Sequence, residues 1–239
     1  MGGYIFLRLQ GKPPIPERAK WLHRSCRMVL GRLGFQPRVI GQAPASGLIA
    51  SNHLSYLDIL FYEASVPCVF VSKIEVRRWP LLGLLAELGG TVFIDRQSAV
   101  SAAEAARRIR ELLEAGVLVL VFPEGTSSDG SGVLRFYGSL LEPAVRVGAA
   151  VTAAAIGYSA GGDATEKDLC YYGDISFVPH LMDMLQLPDI LATLHFGSAH
   201  LIYNDRKQAA AKTREAVVQL RLADSENPQL QGLDTKSTT

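Results

Sequence analysis

Cysteine is scarce in this chain of 239 residues, and the three present, Cys26, Cys68 and Cys170, are odd in number and far apart. A disulfide framework is not expected from such a set, and with no stretch shaped like a secretory signal the sequence reads as one for a reducing compartment. Long apolar runs are lacking as well. The run Tyr4-Ile5-Phe6-Leu7 is stopped by Arg8, and no window approaches the roughly 18 to 20 apolar residues that span a bilayer. Internal repeats, low-complexity tracts and metal-ligand spacings are also missing. What is present is 48% hydrophobic residues against 20% charged, which suits one folded core and excludes collagen-like and disordered chains.

The net charge of +1 hides an asymmetry. The first fifty residues carry eight Lys or Arg against one acid, Glu17, so they hold +7 and the remainder −6. A basic arm on a mildly acidic body implies an anionic partner, either phospholipid headgroups or nucleic acid. The pattern within the arm helps to choose. Between residues 17 and 33, Leu22, Cys26, Val29, Leu30 and Leu33 share one helical face with Trp21 at its edge, while Lys20, Arg24 and Arg27 lie off it. Such a helix suits an anionic membrane interface, and it equally suits packing on its own domain. Nucleic acid is disfavoured, because the body is acidic and its aromatic residues lie within apolar runs. The expected layout is a basic amphipathic arm at 1–36, an α/β domain at 37–224 and a flexible tail at 225–239.

Beyond the arm, the segments 47–50, 68–72, 91–94, 117–122 and 151–156 read as strands, several as the continuous apolar runs of buried parallel strands. Helical patterns lie between them. One opens on Ser101-Ala102-Ala103-Glu104, a capping-box pattern, and stops at Gly116, so that 91–122 reads as a βαβ unit. The fold class expected is α/β, a mostly parallel central sheet flanked by helices, with the amphipathic helix in front. Ligands of such sheets bind beyond the carboxyl ends of the strands.

Polar clusters follow three of these strands. In Ser51-Asn52-His53-Leu54-Ser55-Tyr56-Leu57-Asp58, a helix through both His53 and Asp58 would set them about 140° apart, so His53 must precede the helix. With Ser55 as N-cap, the Asp58 carboxylate can turn back to the imidazole, fixing a tautomer and supporting an imidazolium. The same Ser55-x-x-Asp58 spacing also fits a plain capping box. Phe122-Pro123-Glu124-Gly125-Thr126 presents a carboxylate, a hydroxyl and a glycine amide on a tight turn, suited to a polyol or phosphate or to no ligand at all. Asp95-Arg96 ends another strand, with Arg96 suited to phosphate or to pairing with its neighbour.

In this order and spacing the segments resemble the glycerolipid acyltransferases of the 1-acylglycerol-3-phosphate O-acyltransferase type. The family block Asn-His-x-Ser-x-x-Asp, which contains its HX4D motif, is matched at Asn52, His53, Ser55 and Asp58; Gly-x-x-Phe-Ile-x-Arg at Gly90, Phe93, Ile94 and Arg96; and Phe-Pro-Glu-Gly-Thr by residues 122–126. Ser72-Lys73-x-Glu75, with Trp79-Pro80 and Gly83 after it, also resembles the family and suggests Lys73 as a second phosphate cation. The resemblance spans about residues 20 to 160. It departs in the fourth block, where Ala153 stands about where the family has proline.

The resemblance implies an O-acyltransferase in which His53 is the general base, Asp58 orients it, and the acceptor hydroxyl attacks an acyl thioester directly. Asn52, Ser55, Lys73, Arg96, Phe122, Pro123, Glu124, Gly125 and Thr126 would surround the substrate. No metal or cofactor is implied beyond acyl-CoA or acyl carrier protein as co-substrate, and the setting would be the cytoplasmic face of a membrane, peripheral or monotopic. Lysophosphatidic acid is the first acceptor implied. Lyso-ornithine lipid is the second, since the segment from Tyr171 to His180 resembles acyltransferases of that branch as well as those that make phosphatidic acid. A different class is suggested by Gly157-Tyr158-Ser159-Ala160-Gly161, which matches a serine-hydrolase elbow with His180, His195 and His200 downstream, although no apolar helical stripe follows it.

Overall fold

A computed structural model describes residues 13–79 and 82–225. Helix α1 (Ile15–Leu33) starts after Pro14 and ends where Gly34 turns left-handed at φ 74°. Its stripe is divided: Leu22, Cys26 and Leu30 are buried, while Val29 and Leu33 are exposed together with Met28. The buried part packs mainly on α2 (Leu57–Ser65), with a smaller contact to α3 (Leu82–Gly89), so this helix is built into the body. Residues 1–12 of the expected arm, and the expected tail from 226 onward, lie outside the described residues.

Seven strands form one sheet: β1 (Gln36–Ile40), β2 (Leu48–Ser51), β3 (Val69–Lys73), β4 (Val92–Ile94), β5 (Val119–Val121), β6 (Val151–Ser159) and β7 (Leu191–Leu201). Their order is β1-β7-β6-β2-β5-β3-β4. The five strands β2 to β6 are mutually parallel, whereas β7 runs antiparallel to β6 and β1 parallel to β7. The sheet is mostly parallel, as the continuous apolar runs require. Leu120 and Ile49 pack on the side of α1 and α2, and Val119, Val121, Leu48 and Ala50 on the side of α4 (Ala99–Glu114) and α8 (Arg206–Ser225). Both faces of each central strand are therefore covered. Burying one such Leu or Val side chain contributes about 1.5–3 kcal/mol.

The expected strand-helix-strand unit is present as β4, α4 and β5, with β3 between the two strands. Its cap is Ser98 and not Ser101: the Ser98 hydroxyl accepts the Ser101 amide at 3.2 Å, and the Ser101 hydroxyl instead accepts the Asp95 amide at 3.0 Å. Three short helices, α5 (Glu142–Val147), α6 (Glu166–Leu169) and α7 (Phe177–Met184), complete the fold. Ala153 lies where the β6–β7 ladder slips between Thr152 and Ala154. Among the described residues no helix is long and apolar enough to cross a membrane.

Candidate active site

The parallel strands bring the ends of β2, β3, β4 and β5 to one edge, and the polar clusters gather there. Leaving β2, Asn52 turns inward: its amide donates to the Ile156 carbonyl and accepts the Ile156 amide, both at 2.9 Å. That two-point clasp to β6 fixes the start of the loop that carries His53. Helix α2 begins one residue later than expected, with Tyr56 as N-cap. Ser55 does not cap it, for its buried hydroxyl has no partner among the described residues.

The Asp58 carboxylate organises the loop. It is buried and lies 2.6 Å from Nδ1 of His53, and it accepts the Leu54 amide at 2.7 Å and the Ser55 amide at 3.2 Å. The Tyr158 hydroxyl donates to its Oδ1. An acceptor-only carboxylate on Nδ1 keeps the proton there and leaves the lone pair on Nε2, at an imidazole whose side chain is 20% exposed. The imidazole stacks on Phe122, centroids 4.1 Å apart and planes at 13°.

The Phe-Pro-Glu-Gly-Thr turn joins the same loop. Ser128 donates from its backbone to the His53 carbonyl at 2.9 Å, and Tyr171 donates to the Leu54 carbonyl at 2.8 Å while its own carbonyl accepts the Ser127 hydroxyl. A cavity of about 170 Å³ opens between them. Its polar wall holds His53, Lys73, Arg96, Gly125 and Thr126, and its apolar wall includes Leu22, Leu60, Leu85 and Trp79. Partial burial lowers the pKa of both Lys73 and Arg96, and for Lys73 the nearby guanidinium adds to that effect. Two cations set side by side favour an anionic group between them. Gly125 adopts φ 76°, and its carbonyl accepts from Arg96.

Of the residues expected to surround a substrate, Lys73, Arg96, Phe122, Gly125 and Thr126 line this cavity with His53. Asn52, Ser55, Pro123 and Glu124 lie behind its wall. Glu124 is buried and accepts the Leu134 amide at 3.3 Å through Oε1, while Oε2 has no hydrogen-bond partner among the described residues. Burial, reinforced by the Asp58 charge, pushes its pKa up to about 8.

The hydrolase elbow is absent. Strand β6 continues through Ser159, which pairs with Leu191, and the next helix begins only at Glu166, so the strained strand-to-helix turn of a nucleophilic serine does not form. The three histidines are engaged elsewhere: His180 with Tyr56 and the Cys170 carbonyl, His195 with Asp224, His200 with Thr152.

The Acyltransferase family model matches residues 37–157, which span His53, Asp58, Lys73, Arg96 and the Phe-Pro-Glu-Gly-Thr turn. The chain belongs to the acyltransferase family. This acyltransferase is 35% identical over 221 residues to the lyso-ornithine lipid O-acyltransferase of Pseudomonas aeruginosa, covering 90% of this chain and 83% of that one. It is 40% identical over 115 residues to the 1-acyl-sn-glycerol-3-phosphate acyltransferase of Neisseria gonorrhoeae, covering 48% of this chain and 45% of the relative. The crystal structure of the 1-acyl-sn-glycerophosphate (LPA) acyltransferase PlsC from Thermotoga maritima superposes with a TM-score of 0.68 at 21% identity, over 95% of this chain and 89% of that one; this likeness concerns the fold.

Sequence reasoning missed Tyr158, which it met only as part of the apparent elbow. The contact it makes crosses 100 residues of chain, and no local pattern marks it. It also missed that Tyr56 donates to Nδ1 of His180 at 3.0 Å, which ties α7 to the loop that carries His53, next to a cluster of Trp79, Tyr171 and Phe177.

Proposed function

We propose that this acyltransferase moves a fatty acyl group from an acyl thioester to the free hydroxyl of a lysolipid, with His53 as general base. The observation that carries the reading is the free lone pair of His53 Nε2 on an imidazole held at 2.6 Å by buried Asp58, beside a cavity with one cationic and one apolar wall. The acceptor hydroxyl gives its proton to Nε2 as its oxygen attacks the thioester carbon. The C–S bond then breaks, and the leaving thiolate takes the proton from the imidazolium. A thiol leaves far more readily than an alkoxide, so no enzyme nucleophile is required; the base contributes about 10² to 10⁴ in rate. Lys73 and Arg96 hold the acceptor's anionic headgroup, and the apolar wall receives the fatty chain.

Two acceptors have separate support. The paired cations suit the phosphate of 1-acylglycerol-3-phosphate. Lyso-ornithine lipid is favoured by the reach of the similarity: relatives named for it in Pseudomonas aeruginosa and Brucella abortus align over 90% and 95% of this chain, against 48% for the Neisseria enzyme.

Met28, Val29 and Leu33 on the exposed side of α1, with Arg24, Arg27 and Arg32 nearby on the helix, support peripheral docking on an anionic membrane surface, on its cytoplasmic face. Incubating the purified protein with acyl-CoA or acyl carrier protein thioesters and both lysolipids, and reading products by mass, tests the chemistry. No acylated product with any pair would refute it.

A further inference from the structure

Tyr158, whose hydroxyl bonds to Asp58, is held at two further points. Its ring packs on Phe61 of α2, centroids 5.7 Å apart, about one helical turn past Asp58. Its backbone amide donates to Oε1 of Glu166 at 2.8 Å. Glu166 opens α6 and forms a two-point ion pair with Arg221 of α8, Nη1 to Oε1 at 2.8 Å and Nη2 to Oε2 at 2.6 Å. A fork of this kind fixes orientation as well as distance.

The same guanidinium reaches two backbone carbonyls. Nη1 donates to Ile156 at 3.0 Å and Nη2 to Gly130 at 3.3 Å. The Ile156 carbonyl is the one that Asn52 also holds, and Gly130 lies two residues past Ser128, whose amide holds the His53 carbonyl. Arg221 therefore joins β6 to the loop after the Phe-Pro-Glu-Gly-Thr turn, and each of these segments bonds to the loop that carries His53. Space for the pair comes from two glycines. A Cβ on Gly157 would stand 2.5 Å from Nη1 of Arg221, and one on Gly130, at φ 80°, would stand 2.9 Å from Oε2 of Glu166. Both charged side chains are mostly buried, so solvent screens their attraction little. Tyr158, Glu166 and Arg221 all lie beyond residue 157, where the matched family region ends.

We propose that Glu166 and Arg221 are positioning residues for acyl transfer: the pair fixes Tyr158, Tyr158 fixes Asp58, and Asp58 fixes the imidazole of His53. The inference rests on the reading of His53 as general base. Neither Glu166 nor Arg221 lines the cavity beside His53, so they act on alignment and not on substrate binding. Asp58 keeps the amides of Leu54 and Ser55 when the Tyr158 hydroxyl is lost, so the effect on turnover is partial.

The test is a double-mutant cycle of Arg221→Met and Tyr158→Phe in steady-state acyl transfer. Arg221→Met should lower kcat about three- to tenfold with both KM values within about twofold of wild type. The double variant should fall no more than about twofold below the less active single variant, because both changes act on one carboxylate. Losses that multiply place Arg221 on another route and overturn the proposal, as does a lower melting temperature with wild-type kcat, or a raised KM with kcat unchanged. Arg221→Lys, which keeps the charge and cannot form the fork, carries the same cycle if Arg221→Met does not fold. Proton NMR of the His53 Nδ1–H, identified by its loss in His53→Gln, needs no turnover. The Arg221 variant should move this resonance in the same direction as Tyr158→Phe, and a resonance left at its wild-type position, or moved the opposite way, refutes the proposal. If the wild type acylates no lysolipid, the acyl-transfer reading fails while this resonance still decides whether the pair positions His53.

Discussion

The Tyr158 hydroxyl donates to Oδ1 of Asp58, the carboxylate whose Oδ2 stands 2.6 Å from His53 Nδ1. A residue of β6 thus sets the far side of the group that orients the imidazole. Tyr158→Phe keeps the ring and removes the donor, so kcat should fall about tenfold with both KM values unchanged, at a stability cost of about 1–3 kcal/mol. Its neighbour Ser159 ends the strand, and Ser159→Ala should leave acyl transfer intact. Kinetics and thermal unfolding of the two variants check both statements.

His53→Ala removes the proposed base and little of the scaffold, because Asp58 retains its bonds from Leu54, Ser55 and Tyr158. The expected outcome is a fall in kcat of about 10² to 10⁴ with a melting temperature close to wild type. Residual activity near the wild-type value would remove His53 from the chemistry.

Gly125 combines a left-handed backbone with a close approach. A Cβ there would sit 2.9 Å from Nη1 of Arg96 at φ 76°. Gly125→Ala should therefore strain the turn by about 1–2 kcal/mol and push the guanidinium aside, lowering kcat/KM for the acceptor about tenfold. Arg96→Ala should reproduce the kinetic loss with less effect on melting.

Glu124 makes stability depend on pH. Burial, and then the Asp58 charge, hold its pKa near 8 in the fold against an ordinary 4.5. Between those values the folded protein keeps a proton that the unfolded chain has released, so stability falls as pH rises through this window. Glu124→Gln is neutral throughout. The melting temperature of wild type should decline relative to this variant from about pH 5 to about pH 9, and parallel curves would contradict the account.

The sequence disclosed the site through its strands. Runs such as Val119 to Phe122 are apolar on both faces, which marks central parallel strands, and the turns after them had to share an edge. Other elements left weaker traces. Pro37 argues against a strand, yet β1 pairs only with β7 at the sheet edge, where a missing amide costs little. In β7 the polar Thr193, His195 and Ser198 interrupt the apolar run. Ser98 and Ser101 both fit the start of α4, and only the Asp95 amide, which occupies Ser101, decides between them. Asn52 reads as a site residue by its place beside His53, but both ends of its amide are spent on the backbone of Ile156.

Helix α1 meets α3 so closely that a Cβ on Gly89 would stand 2.3 Å from Leu22 Cδ2, and Leu22 and Cys26 both line the cavity beside His53. Deleting this helix would open that cavity to water, whatever it does to membrane binding. A truncated enzyme that loses activity therefore says nothing about lipid adhesion; charge reversal at Arg24 and Arg27, which leaves the inner lining in place, separates the two.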